Sequence, residues 1–156
     1  MANILEQMPR IVGQSLLLQE PWYFESARPI GREKTVQLNV KVRPEASLAC
    51  PICGGQTQRQ GLEPSERVWR HINWMSLKCL VHCFRPMVEC EKCGLQVVSP
   101  PFESQSGTLT LFFEELAKFS LPELPLALSA ELLSGDEVAL AEFMAFIKIK
   151  REYSQD

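Results

Sequence analysis

Apolar and polar residues change their spacing several times along this chain, and each change predicts a different kind of structure. Ile4, Leu5, Met8, Ile11 and Val12 recur at helical intervals, which predicts a short N-terminal helix. Pro21 and Pro29 bracket an extended or irregular stretch holding Trp22, Tyr23 and Phe24. Val36, Leu38, Val40 and Val42 then alternate with Thr35, Gln37, Asn39 and Lys41, the mark of a half-buried strand. Alternation returns at 67–89. Val68, Arg70, Ile72 and Trp74 share one face, Trp69, His71, Asn73 and Met75 the other, and Leu77, Cys79, Val81 and Cys83 form a further set. Pro86 breaks the run, Val97 and Val98 close the sheet, and Pro100-Pro101 end the unit. Beyond them the period becomes helical. Leu109, Phe112, Phe113, Leu116 and Phe119 follow i, i+3, i+4 spacing behind Thr110 as N-cap, and a short second helix at 126–133 and a third at 136–150 are expected.

Composition narrows the class. The 156 residues are 46% hydrophobic and 22% charged, which suits a folded domain rather than a disordered chain. No stretch reads as a membrane span, and the first 18 residues lack the basic head and apolar run of a secretory signal, so a cytoplasmic location is expected. Charge is uneven. Residues 1–40 balance at zero, 41–94 carry eight basic against five acidic residues, and 95–156 carry four basic against ten acidic. Any nucleic-acid contact is therefore expected in the middle of the chain, whose positive excess is mild.

That middle also holds the six cysteines. Cys50-Pro51-Ile52-Cys53 and Cys90-Glu91-Lys92-Cys93 are C-x-x-C pairs followed by Gly54 and Gly94, separated by 36 residues. Two such turns each supply two sulfurs to a tetrahedron, so one structural Zn2+ on Cys50, Cys53, Cys90 and Cys93 is expected. A rubredoxin-like iron centre uses the same donors. A disulfide framework has against it the missing signal and the length of the chain, and a thioredoxin-like pair lacks its βαβ context. Cys79 and Cys83 fall on the apolar face of a strand and read as core. His71 and His82 have no partner at ligand spacing. Four-thiolate ligation leaves no open position, so no enzyme activity is expected. The fold class that results is α+β: a lead-in at 1–34, a small zinc-ribbon-like antiparallel β domain at 35–101, and a helical segment at 102–156.

The order of motifs carries a resemblance. L-L-L-Q-E-P-W at 16–22, the strand at 35–42, C-P-I-C-G at 50–54, R-V-W-R-H-I at 67–72, R-P-M-V-E-C-E-K-C-G at 85–94, Pro100-Pro101 and T-L-F-F-E at 110–114 follow one another. This succession resembles the N-terminal region of ISL-three insertion-sequence transposases, in which a zinc-binding domain precedes helix-turn-helix segments and a DDE nuclease domain. The resemblance implies a truncated or domesticated relative without that nuclease, binding duplex DNA such as transposon ends. It implies phosphate contacts from basic side chains of the zinc domain, for which Arg67, Arg70, His71, Lys78, Arg85 and Lys92 are the candidates, and a helix-turn-helix around Ser134-Gly135. Against base reading by that last helix stand Asp136, Glu137 and Glu142 near its start. The alternative is a protein-interaction adaptor, as a homodimer or with another partner, through residues 109–147.

Overall fold

The computed structural model describes residues 4–32, 34–74 and 77–120. Their order is α1 (Ile4–Ser15), β1 (Trp22–Ile30), β2 (Thr35–Val42), β3 (Thr57–Leu62), β4 (Arg67–Trp74), β5 (Leu77–Cys83), β6 (Pro86–Cys90), β7 (Gly94–Val97) and α2 (Leu111–Ser120). The strands form two sheets, a larger one ordered β1-β2-β5-β4 and a three-stranded one ordered β3-β6-β7. The α+β class stands, with a ribbon-like cysteine arrangement in the smaller sheet. The helices expected at 126–133 and 136–150, and most of the surface at 109–147, lie outside the described residues.

Three features depart from the sequence-based picture. The sheets are mostly antiparallel, but β2 and β5 run parallel, with Thr35 beside Lys78 and Asn39 beside His82. The stretch after Pro21 is a nine-residue strand, antiparallel to β2 from Trp22 opposite Val42 to Ile30 opposite Thr35. A break at residue 34 would therefore divide a hairpin. A break at 101 would do the same to packing, because Phe102 is fully buried and meets Trp69 edge-on at 5.1 Å between ring centroids. Finally, β4 and β5 belong to the larger sheet, so the ribbon is β3-β6-β7 alone.

The core lies on one face of the larger sheet. Val36, Leu38, Val40 and Val42 of β2, Cys79, Val81 and Cys83 of β5 and Trp69 of β4 join Val12 and Leu16, Val88 of the ribbon and Phe102. A fully buried aliphatic side chain of this kind contributes about 1.5–3 kcal/mol. Period-two alternation puts the opposite residues of β1 and β2 on the other face, where they form a polar ladder. Arg28 donates to Gln37 at 3.2 Å, Gln37 to Asn39 at 2.7 Å and Asn39 to Ser26 at 3.0 Å. The free edge of β4 is covered by the loop before α2. The Arg70 N–H donates to Thr108 O at 2.8 Å, and the Thr110 N–H donates to Arg70 O at 3.0 Å. Thr110 then caps α2, its hydroxyl accepting the Phe113 N–H at 3.4 Å.

His71 ties both helices to β4. Its Nδ1 lies 2.7 Å from the Thr110 hydroxyl and its Nε2 3.3 Å from the Ser15 hydroxyl, which itself donates to Val12 O. Burial, with the Arg70 charge beside it, holds the imidazole down at about 4. The unfolded chain takes up this proton near pH 6.5, where the folded chain still refuses it. His71 therefore contributes its full stability above about pH 6.5, and that contribution is lost as pH falls towards 4, on the order of 3 kcal/mol in all. Urea midpoints compared at pH 7 and pH 4.5 should fall further in the wild type than in His71→Gln. Equal falls would remove His71 from the acid response.

Candidate metal centre

The first knuckle forms where the chain leaves β2. Residues 43–50 are held by Arg59, whose guanidinium donates to Arg43 O at 3.2 Å and Ala46 O at 3.3 Å, and by Thr57, whose hydroxyl donates to Leu48 O at 2.6 Å. The turn closes on itself, with the Gly54 N–H donating to Cys50 O and the Cys50 N–H to Gly55 O, each at 2.9 Å. Gly54 takes a φ of 71° and Gly94, at the equivalent place after the second pair, 74°. That left-handed conformation is nearly free for glycine and strained for other residues. Gly55 is needed for another reason. Its N–H donates to the Cys53 sulfur at 3.4 Å, and a Cβ there would lie 3.2 Å from that sulfur.

The second knuckle links β6 to β7. Cys90 is the last residue of β6, paired with Thr57 of β3 on one side and Gly94 of β7 on the other. Strand pairing thus delivers Cys90 beside the first knuckle, and Gln96 donates to Cys93 O at 2.8 Å to hold the turn.

The four sulfurs lie within 4.8 Å of one another, Cys53 and Cys90 at 3.6 Å. Four thiolates around one ion at about 2.3 Å would stand about 3.8 Å apart. The cluster has the size to hold one metal ion. Its electrostatics ask for one, because sulfurs this close cannot all carry charge unaided. The Cys53 backbone N–H holds the Cys50 thiol down at about 7, while burial and the neighbouring sulfurs push Cys93 up to about 12. Cys50 and Cys90 are buried, Cys93 is half-buried and Cys53 is exposed. All six cysteines are free. Cys79 and Cys83 sit in the core, where burial raises both thiols to about 12 and leaves them poor nucleophiles.

The six residues proposed as DNA contacts separate sharply. Arg70 is only 9% exposed; its Nη1 donates to His71 O at 2.6 Å and Cys79 O at 3.0 Å, and its guanidinium lies over Phe113. His71 is fully buried. Arg85 forks onto Glu63 at 2.6 and 2.8 Å, reaches Glu103 at 3.4 Å, and holds the Glu63 carboxyl below the usual carboxylate range. The polar groups of these three are engaged inside the protein. Arg67 is half-exposed and bonded to Gly107 O at 3.3 Å. Lys78 and Lys92 stand in solvent, Lys78 on β5 of the larger sheet and Lys92 in the turn between β6 and β7. Buried arginines could not be told from exposed ones in an alternating strand, since a guanidinium that satisfies carbonyls occupies positions periodicity assigns to the surface.

Among the described residues, no helix is long and apolar enough to cross a membrane. No family model, no curated protein and no solved structure matches the chain.

The centre makes a direct prediction. Elemental analysis of the purified chain should find about one tetrahedrally held metal per molecule. Cys50→Ser and Cys90→Ser should each lose it and lower the melting temperature, while amides of β2 and β5 stay protected from exchange. Full metal content in both variants would exclude the cluster as the site.

Proposed function

We propose that this chain is a zinc-stabilised, non-catalytic module that binds duplex DNA. The observation that carries the reading is the closed set of four thiolates. A site with four protein sulfurs gives a tetrahedral ion no vacant position for water or substrate, so the ion holds a surface in shape. Zinc suits a purely structural role because it has no redox chemistry; iron accepts the same donors and would betray itself by colour. Four cysteines placed as metal ligands and two buried in the core, rather than set in disulfides, fit a cytoplasmic protein. Other candidate nucleophiles support the same view: Cys79 and Cys83 are buried thiols, and both nitrogens of His71 are engaged by hydroxyls.

DNA as the partner is supported by the resemblance to the opening region of ISL-three transposases and by the positive excess of residues 41–94. Phosphate binding releases counterions, so affinity must fall with salt. Fluorescence anisotropy of a labelled duplex with the metal-loaded chain should give log K falling linearly with log salt. A slope of about −3 or steeper is expected for several phosphate contacts. Absence of binding to any duplex at low salt would defeat the reading.

One observation favours a second reading, a protein-interaction adaptor. Phe119 of α2 is 78% exposed, Phe112 lies one heptad before it, and Ile52 and Leu95 of the ribbon are also exposed. Exposed aromatic residues of this kind mark association surfaces when they are contiguous. Sedimentation equilibrium should then show self-association that Phe112→Ser/Phe119→Ser abolishes, and a monomer at all concentrations would remove the homodimer.

A further inference from the structure

Several cations of this fold are already paired or bonded within it. Lys41 pairs with Glu25 at 2.5 Å, Arg43 with Glu20 at 3.1 Å, Arg85 with Glu63 at 2.6 Å and Lys118 with Glu114 at 3.0 Å. Arg59 and Arg70 donate to backbone carbonyls. The ribbon strands and knuckles are balanced as well, with Arg59 and Lys92 against Glu89 and Glu91. The metal-bearing sheet therefore offers no net positive field.

Of the exposed cations outside those pairs, four gather at one end of the larger sheet, while Arg10 lies on α1 and Lys92 in the second knuckle. Arg32 and Lys34 lie in the turn between β1 and β2, where Gly31 takes a φ of 59°. The parallel pairing sets the start of β5 beside that turn, with Lys78 next to Thr35 and its N–H donating to Lys34 O at 2.7 Å. Arg32, Lys34 and Lys78 are exposed and form no ion pair among the described residues. Arg28 is exposed too, on the Lys78 face, and donates to the neutral amide of Gln37. Glu33 is the single acidic residue in the turn, so four cations stand against one carboxylate. Arg32 and Lys78 also line a concavity of about 370 Å³, with Ile30, Gly31, Thr35 and Leu80 as its other walls.

We infer that this end of the four-stranded sheet is the surface that takes the phosphate backbone of duplex DNA. One phosphate sits in the concavity lined by Arg32 and Lys78, and Arg28 and Lys34 flank it. The inference rests on the DNA-binding reading above and gives it an address away from the metal. Unneutralised, clustered and exposed cations are the electrostatic footprint of phosphate binding. A bilayer fits less well, because none of the large exposed apolar residues belongs to this turn.

The test is anisotropy of a labelled 20-base-pair duplex with the full, metal-loaded chain. Arg32→Glu/Lys78→Glu should weaken binding about 10-fold or more at 100 mM salt and reduce the salt slope by roughly 1–2. Arg10→Glu, which reverses an exposed cation on α1, should change affinity less than about 2-fold. Metal content and circular dichroism of each variant establish that the fold is intact. If the wild type binds no duplex, the DNA-binding reading itself fails. If it binds and the double variant binds equally well, this surface alone is refuted. An equal loss in Arg10→Glu, or tighter binding to single-stranded RNA of the same sequence, also overturns the assignment.

Discussion

Strands that run parallel side by side need a long connection to bring the chain back to its starting edge. In this protein the connection leaves β2 at Val42 and reaches its parallel partner β5 at Leu77, and much of the remaining architecture follows from what it carries. Its first part holds the knuckle of Cys50 and Cys53 and strand β3; its second is β4, which doubles back on β5. The other half of the ribbon arrives only after β5, so the small sheet is assembled from segments on both sides of β5 in the chain. An ion bound between Cys53 and Cys90 would tie the crossover to the chain that follows it. Valines on β2 and β5 then share one core with Val88 of the ribbon, which makes the two sheets a single packed unit.

The outer edge of β4 shows how such a sheet ends safely. An exposed row of backbone groups invites pairing with another chain. Residues 108–110 cover that row, and Arg70 and His71 fasten the cover from beneath. Their work explains why a charged and an ionisable residue sit inside. The guanidinium answers carbonyl oxygens that would otherwise lose hydrogen bonds on burial, and the neutral imidazole bridges two hydroxyls on separate helices.

Several elements could be read from residues alone. The alternation at 35–42 marked β2 because one face is apolar without exception, and the cysteine pairs marked their cluster because two-residue gaps leave little freedom in how sulfurs converge. Thr110 announced α2 by cap chemistry. Other features had no local signal. Nothing in 77–83 distinguishes a parallel neighbour from an antiparallel one, since either buries the same Cys79 and Val81. The strand at Trp22–Ile30 was obscured by Pro21 before it, by Pro29 within it, and by Glu25, Ser26 and Arg28, which face solvent or the polar ladder on its open side. Among arginines, partner geometry decides between surface and interior, and partners such as Glu63, Glu103 and the Cys79 carbonyl lie far along the sequence from the residues they hold.

The unequal exposure of the four sulfurs has a kinetic meaning. Cys50 and Cys90 are buried by strand pairing and by the loop that Arg59 holds, whereas Cys53 is exposed. Ligand exchange at a crowded tetrahedral ion proceeds by donors arriving where there is room. A competing chelator, or a chaperone delivering metal, would meet Cys53 first, and the two buried thiolates would release the ion last. On this geometry an incoming chelator would reach the centre through the first knuckle, whose Cys53 is the exposed residue of the four.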